Sequence, residues 1–198
     1  MLYDYFFFSA PQLKRDSLGS MLHPTDHQRM TREGFRLASD LMMDLVAGTQ
    51  TYYMLARRFD EVPTPEHLRT AITRLCLFHT IITLSKWTEL YDRYKSIIPE
   101  DVRDTGKRLR KEIDERGIVE FRNKVVGHIW DDDLKRALTN DEVEERLGVI
   151  TKSNVAGLFA WVNDGRLEDN PDTAVGMIEL VRDRIRQEYG LSDADLHR

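Results

Sequence analysis

The sequence predicts an all-α fold, a helical bundle with two long central helices. Three observations carry that prediction. Apolar residues recur at helical spacing over most of the chain, and no segment shows the period-two alternation of a half-buried strand. One stretch, "LCLFHTIITL" (residues 75–84), is apolar all round, as a central buried helix must be. The breaks between periodic segments carry proline, glycine or capping residues, which punctuate helices.

The elements follow in order. Residues 1–30 read as an irregular lead, and "HPTDH" (His23 to His27) reads as a turn. A first helix opens at Thr31 as cap and runs through "LASDLMMDLVAGTQTYYMLARRF". "DEVPTPEH" breaks it with two prolines. Thr64 then caps a second helix with Pro65 in its first position, running to about Ile98. A highly charged third helix covers roughly residues 100–116 and stops at Gly117. A fourth is expected over about 118–132. Thr139 or Asn140 caps a fifth, with acidic residues in its first turn, and it is expected to continue to Val162. A last helix spans Pro171 to Tyr189 and ends at Gly190. The organisation is a lead (1–30), a bundle (30–165) and a C-terminal helix packing on or extending it (166–198).

Composition narrows the class. The 198 residues are 41% hydrophobic and 32% charged, enough to bury one sizeable core. No segment approaches the ~20 apolar residues of a membrane span, and the first residues lack the basic start and long apolar run of a signal peptide. The lone cysteine, Cys76, falls in the apolar second helix and reads as a small core residue. A cytoplasmic protein is the natural expectation. The net charge of −5 is not that of a general nucleic-acid binder. Charge is uneven, however. Residues 103–124 hold eight basic side chains against five acidic, a local positive patch or an ordinary solvated face, and residues 131–145 hold seven acidic against two basic.

The segment "VEFRNKVVGHIWDDD" (residues 119–133) carries the chemistry. On an ideal helical wheel Ile118, Val119, Phe121, Val125, Val126, Ile129 and Trp130 fill about half the circumference, with Arg122 near the middle of that arc. A guanidinium there needs a partner. One candidate is an acid of the charged third helix. Asn123 and His128 lie at opposite edges of the arc. If this face meets a second copy of itself, two-fold symmetry gathers the polar groups in a cleft between subunits.

"FRNKVVGH" resembles the motif of the HEPN superfamily, in which Arg and a polar residue precede His by a short spacer; here these are Arg122, Asn123 and His128. The segment is also similar to the motif region of the AbiU-type abortive-infection branch. The resemblance spans roughly residues 30–165. It implies a homodimeric, metal-independent endoribonuclease without cofactors, acting on RNA in phage defence or a toxin–antitoxin system, with an antitoxin as partner. His128 is then the acid/base, Arg122 the phosphate clamp and Asn123 the orienter, with Lys124 and Arg116 as substrate contacts. Some members carry a Tyr two positions beyond the His that a partner enzyme modifies; Trp130 stands there instead. The rival reading is a HEPN-like module that binds nucleotide, nucleic acid or a protein partner and cuts nothing. A plain bundle with a chance motif would leave Arg122 and His128 far apart.

Other constellations are weaker. His128 with Asp131, Asp132 and Asp133 has the composition of a metal site, but an acidic triplet at a helix end is more often solvated. No metal is expected. His79, beside Thr80 and Thr83, reads as a core histidine with a hydrogen-bonded partner. There is no phosphate-binding glycine loop, GxSxG or CxxC motif.

Overall fold

The computed structural model describes residues 26–126, 130–131, 134–165 and 170–197. Helix α1 spans Asp26–Glu61, α2 Glu66–Tyr94, α3 Glu100–Glu115 and α4 Ile118–Phe121. A π turn, Arg122–Val126, follows, then two short strands, β1 (Trp130–Asp131) and β2 (Arg136–Ala137). The chain continues through α5 (Asn140–Thr151), α6 (Val155–Val162) and α7 (Ala174–Tyr189) to a final turn of 3-10 helix. The fold is an all-α bundle.

Helices α1 and α2 are the longest of the described residues, at 36 and 29 residues. They run antiparallel: Gly34 of α1 lies against Tyr94 and Ile97, and Gly48 against His79 and Thr80. Gly48 permits the close approach, because a Cβ there would lie 2.9 Å from the His79 ring. Helix α7 packs on α1 and α3, and α3 packs on α2. The core lies between them, built from Leu45, Ile81, Leu84, Trp87, Leu109 and Ile178, each at most 1% exposed. Trp87 is fully buried, and its indole N–H points at the Gly106 carbonyl of α3 at 3.4 Å.

Several boundaries differ from the sequence reading, each for a local reason. Helix α1 starts at Asp26, so Thr31 is a buried interior residue whose hydroxyl donates to the His27 carbonyl. His27 is therefore in the first helical turn, its ring edge-on to Tyr189; His23 lies outside the described residues. Thr64 does not cap α2: its hydroxyl donates backward to the Val62 carbonyl, and Pro65 occupies the cap position. The expected fifth helix is two. Lys152 and Ser153 take left-handed backbone, and Asn154 opens α6 by accepting from the Gly157 N–H. The fourth helix stops early, since β1 is already extended at residue 130 and pairs antiparallel with β2.

Truncating Trp87 to Ala should destabilise the protein by about 3–5 kcal/mol, read as a lower denaturant midpoint at unchanged slope. A loss under ~1 kcal/mol would mean that α2 and α3 are not joined through this side chain.

Candidate functional site

The site begins where α3 ends. Gly117 adopts a left-handed conformation, φ 68°, and turns the chain directly into α4. Ile118 and Phe121 are 0% and 2% exposed, and the Phe121 ring packs on Phe78 of α2 with centroids 5.9 Å apart. These two side chains set the inward direction of the segment. On an ideal wheel that direction falls about 70° from Arg122. Arg122 thus stands at the rim of the apolar face, not at its middle as the sequence suggested. Helix α4 packs on α2 and α3 and leaves Val119, Val125 and Val126 half-buried.

Arg122 is the first residue of the π turn, and its side chain is 38% exposed. One terminal nitrogen donates to the Asn123 Oδ1 at 2.9 Å, and the other to Glu89 Oε1 of α2 at 3.3 Å. The partner acid therefore comes from α2, not from the charged α3. With Glu89 66% exposed, the pair contributes on the order of 0–1 kcal/mol to stability. Asn123 is exposed. Lys124 pairs with Glu120 one turn back, at 3.1 Å. Arg122, Asn123 and Lys124 are consecutive on one turn, and π turns of this kind recur at functional sites. His128 lies outside the described residues, as do Asp132 and Asp133.

Arg116 belongs elsewhere. Its guanidinium lies 4.1 Å from the centre of the Trp161 ring and donates to the Ile150 carbonyl at 3.1 Å. Burial pushes it below its ordinary pKa, with Glu112 opposing. Those contacts fasten the end of α3 to α5 and α6. The basic run behaves similarly. Arg110 is bidentate on Asp92 and reaches Asp114, Arg108 meets Glu112 and Asp172, Lys111 meets Glu115, and Arg103 donates to the Ile98 carbonyl. Most of the run is engaged in intramolecular ties, with Lys107 exposed beside them.

The exit from the motif is fastened by a residue the sequence reading passed over. Arg136 of β2 makes a bidentate pair with Glu142, one arm at 2.8 Å, and Glu142 also accepts from the Thr139 N–H at 2.7 Å. This is a capping box for α5, legible as T-x-x-E. The Arg136 bonds, with those from Thr139, hold the half-buried Glu142 carboxyl down at about 2.

The remaining candidates resolve as follows. Cys76 is buried and free, and burial raises its thiol pKa. His79 is exposed rather than in the core, because it rides on the α1–α2 seam, where its Nε2 lies 3.1 Å from the Asp44 carbonyl. Among the described residues no group of three or more His, Cys, Asp and Glu is placed to hold a metal. None of their helices is long and apolar enough to cross a membrane. A groove of about 420 Å³ lies between α2 and α5–α6, lined by Arg69, Thr73, Arg74, Leu77 and Leu147. A smaller hollow of about 210 Å³ between α1 and α2 has Glu89, Lys86 and Arg93 on its rim.

No family model matches the chain, and no curated protein matches it. A solved structure does: an integron cassette protein, Vpc_cass2, from the mobile metagenome of V. paracholerae. It shares 25% identity at a TM-score of 0.67, over 78% of this chain and 95% of that one.

Two outcomes test these assignments. Arg116→Lys keeps the charge but loses the planar stack on Trp161, and should lower stability by about 1–2 kcal/mol without changing any activity of the Arg122 turn. Glu142 has its folded pKa depressed, so its contribution is present above its ordinary value near 4.5 and is lost as pH falls toward 2. Amide protection in the first turn of α5, taken relative to the intrinsic exchange rate at each pH, should therefore fall over that interval in the wild type. Glu142→Gln should show raised exchange already at neutral pH and lose that acid-dependent step.

Proposed function

We propose that this chain is a HEPN-type, metal-independent endoribonuclease. The observation that carries the reading is the Arg122–Asn123 pair on the π turn. Its guanidinium is oriented by Asn123 and Glu89 yet remains over a third exposed. Of the five N–H donors on a guanidinium, the two bonds to Asn123 and Glu89 leave others to meet a phosphodiester oxygen.

In the proposed reaction the 2′-oxygen of RNA attacks the adjacent phosphorus. The new bond is 2′-O–P, and the bond broken is from phosphorus to the 5′-oxygen of the next nucleotide. The products are a 2′,3′-cyclic phosphate and a 5′-hydroxyl. A proton leaves the 2′-oxygen and another reaches the departing 5′-oxygen. His128 moves a proton at one of these atoms, and its near-neutral pKa suits the task. Arg122 meets the charge that grows on the phosphoryl oxygens, Asn123 orients Arg122, and Lys124 contacts the backbone. The internal nucleophile accounts for a choice of RNA over DNA. The working form is a homodimer, in phage defence or under an antitoxin, with control that does not use the Tyr position where Trp130 stands. The solved neighbour's origin in a mobile metagenome suits such a setting.

A non-catalytic HEPN-like binding module is the second reading. It is favoured by the net charge of −5 and by the ties that hold most of the cations between residues 103 and 124.

The test is incubation of the purified protein with mixed RNA in EDTA. Cleavage leaving 2′,3′-cyclic phosphate ends is expected, reduced about 100-fold or more in His128→Ala and in Arg122→Ala. Wild-type protein that leaves all RNA intact, or a His128→Ala variant as active as wild type, would overturn the ribonuclease reading.

A further inference from the structure

We infer that Glu89 of α2 is a positioning residue for Arg122. The inference rests on the ribonuclease reading and adds a residue that the motif does not contain. Glu89 is 33 positions upstream, on a different element, and reaches Arg122 only because α4 and the π turn pack on α2.

Three observations support it. First, Arg122 is the one ion-pair partner of Glu89 among the described residues, although Lys86 and Arg93 lie within one helical turn of it. Lys86 is drawn instead to Asp44 of α1, at 3.9 Å. Second, Glu89 and Asn123 take different nitrogens of the guanidinium, at 3.3 Å and 2.9 Å. Two acceptors on two nitrogens fix the plane of the fork, whereas Asn123 alone leaves it free to swing about one bond. Third, the buried side chains around Glu89 hold its backbone still: Leu84, Trp87 and Leu90 are each at most 5% exposed. A long side chain on a short turn is thereby referred to a helix anchored by buried side chains.

This arrangement has two opposed effects on RNA. A carboxylate beside Arg122 repels a phosphodiester, which weakens binding. The same carboxylate holds the fork in one orientation, which favours the transition state over the ground state. Removing it should therefore move binding and cleavage in opposite directions. A side chain that served stability alone would not separate the two.

The experiment uses a labelled single-stranded RNA for cleavage and the same oligonucleotide with its 2′-hydroxyls replaced by hydrogen for binding. The proteins are wild type, Glu89→Gln, Glu89→Ala, Arg122→Ala and the Arg122→Ala/Glu89→Gln double variant, each with its melting temperature. Single-turnover cleavage should fall roughly tenfold in Glu89→Ala and less in Glu89→Gln, whose amide oxygen still accepts from Arg122. Analogue binding should tighten about threefold in Glu89→Gln, and this gain should vanish when Arg122 is absent. The inference is overturned if both Glu89 variants cut and bind like wild type. It is also overturned if Glu89→Gln tightens binding equally with and without Arg122, since the carboxylate then acts as general surface charge. Absence of cleavage by the wild type overturns the ribonuclease reading and the role of Glu89 in cleavage together. The binding cycle then decides by itself whether Glu89 acts through Arg122.

Discussion

Helix α2 carries more apolar surface than one partner can cover. Leu77, Ile81, Leu84, Trp87 and Tyr91 point in several directions, and each is at most 7% exposed. Helices α1, α3 and α4 must all pack around it, and α7 closes α1 and α3 over the far side. The burial of these side chains is the main favourable contribution to the fold, and it also decides where polar residues of α2 emerge. They emerge along the seams between the covering helices. His79 meets the Asp44 carbonyl on one seam, and Glu89 meets Arg122 on another.

The four residues of α4 are too few to be stable as a helix by themselves. Ile118 and Phe121 hold the segment by burial, and the Gly117 turn sets its entry. Once Phe121 is seated, the following residues have fewer apolar anchors. Here the backbone widens into a π turn and is extended by β1. The widening falls on Arg122, Asn123 and Lys124. A segment held firmly at its start and tied again at Arg136–Glu142 can present polar groups between those fixed ends.

Much of this was legible. The apolar circumference of residues 75–84 marked the buried helix, Gly117 and Gly190 marked helix ends, and a Thr139 or Asn140 cap followed by acidic residues marked the start of α5. What failed depended on tertiary contacts. A helical wheel weights every apolar residue equally, so Val119 and Val126 pulled the apparent core direction toward Arg122. In the folded chain they are half-buried, and among the described residues of that arc only Ile118 and Phe121 reach the interior. The break at Lys152 and Ser153 was hidden because neither residue is a usual left-handed one, although Asn154 is a recognisable cap. Glu89 could not be singled out, since an acid between Lys86 and Arg93 on a solvated stripe looks like ordinary helix charge. Its partner is set by how α4 docks.

The charge pattern carries a final lesson about where an acidic protein can meet a phosphate. Counting residues suggested a basic stretch from 103 to 124, but its members differ in how firmly they are held. Arg110 is bidentate on Asp92, and Arg116 is half-buried against Trp161 and a carbonyl. Releasing either would break good geometry or strip a buried donor of its partner. The acids that hold Arg122 and Lys124, Glu89 and Glu120, are each about two-thirds exposed. Such pairs are nearly isoenergetic with their hydrated parts. A phosphodiester, whose single negative charge is shared by two oxygens, can share or replace them at little cost. Net charge and basic counts are therefore poor guides to this surface. The relevant quantity is how cheaply each cation can exchange partners, and by that measure the exposed pairs on the π turn differ from the bidentate Arg110 and the half-buried Arg116.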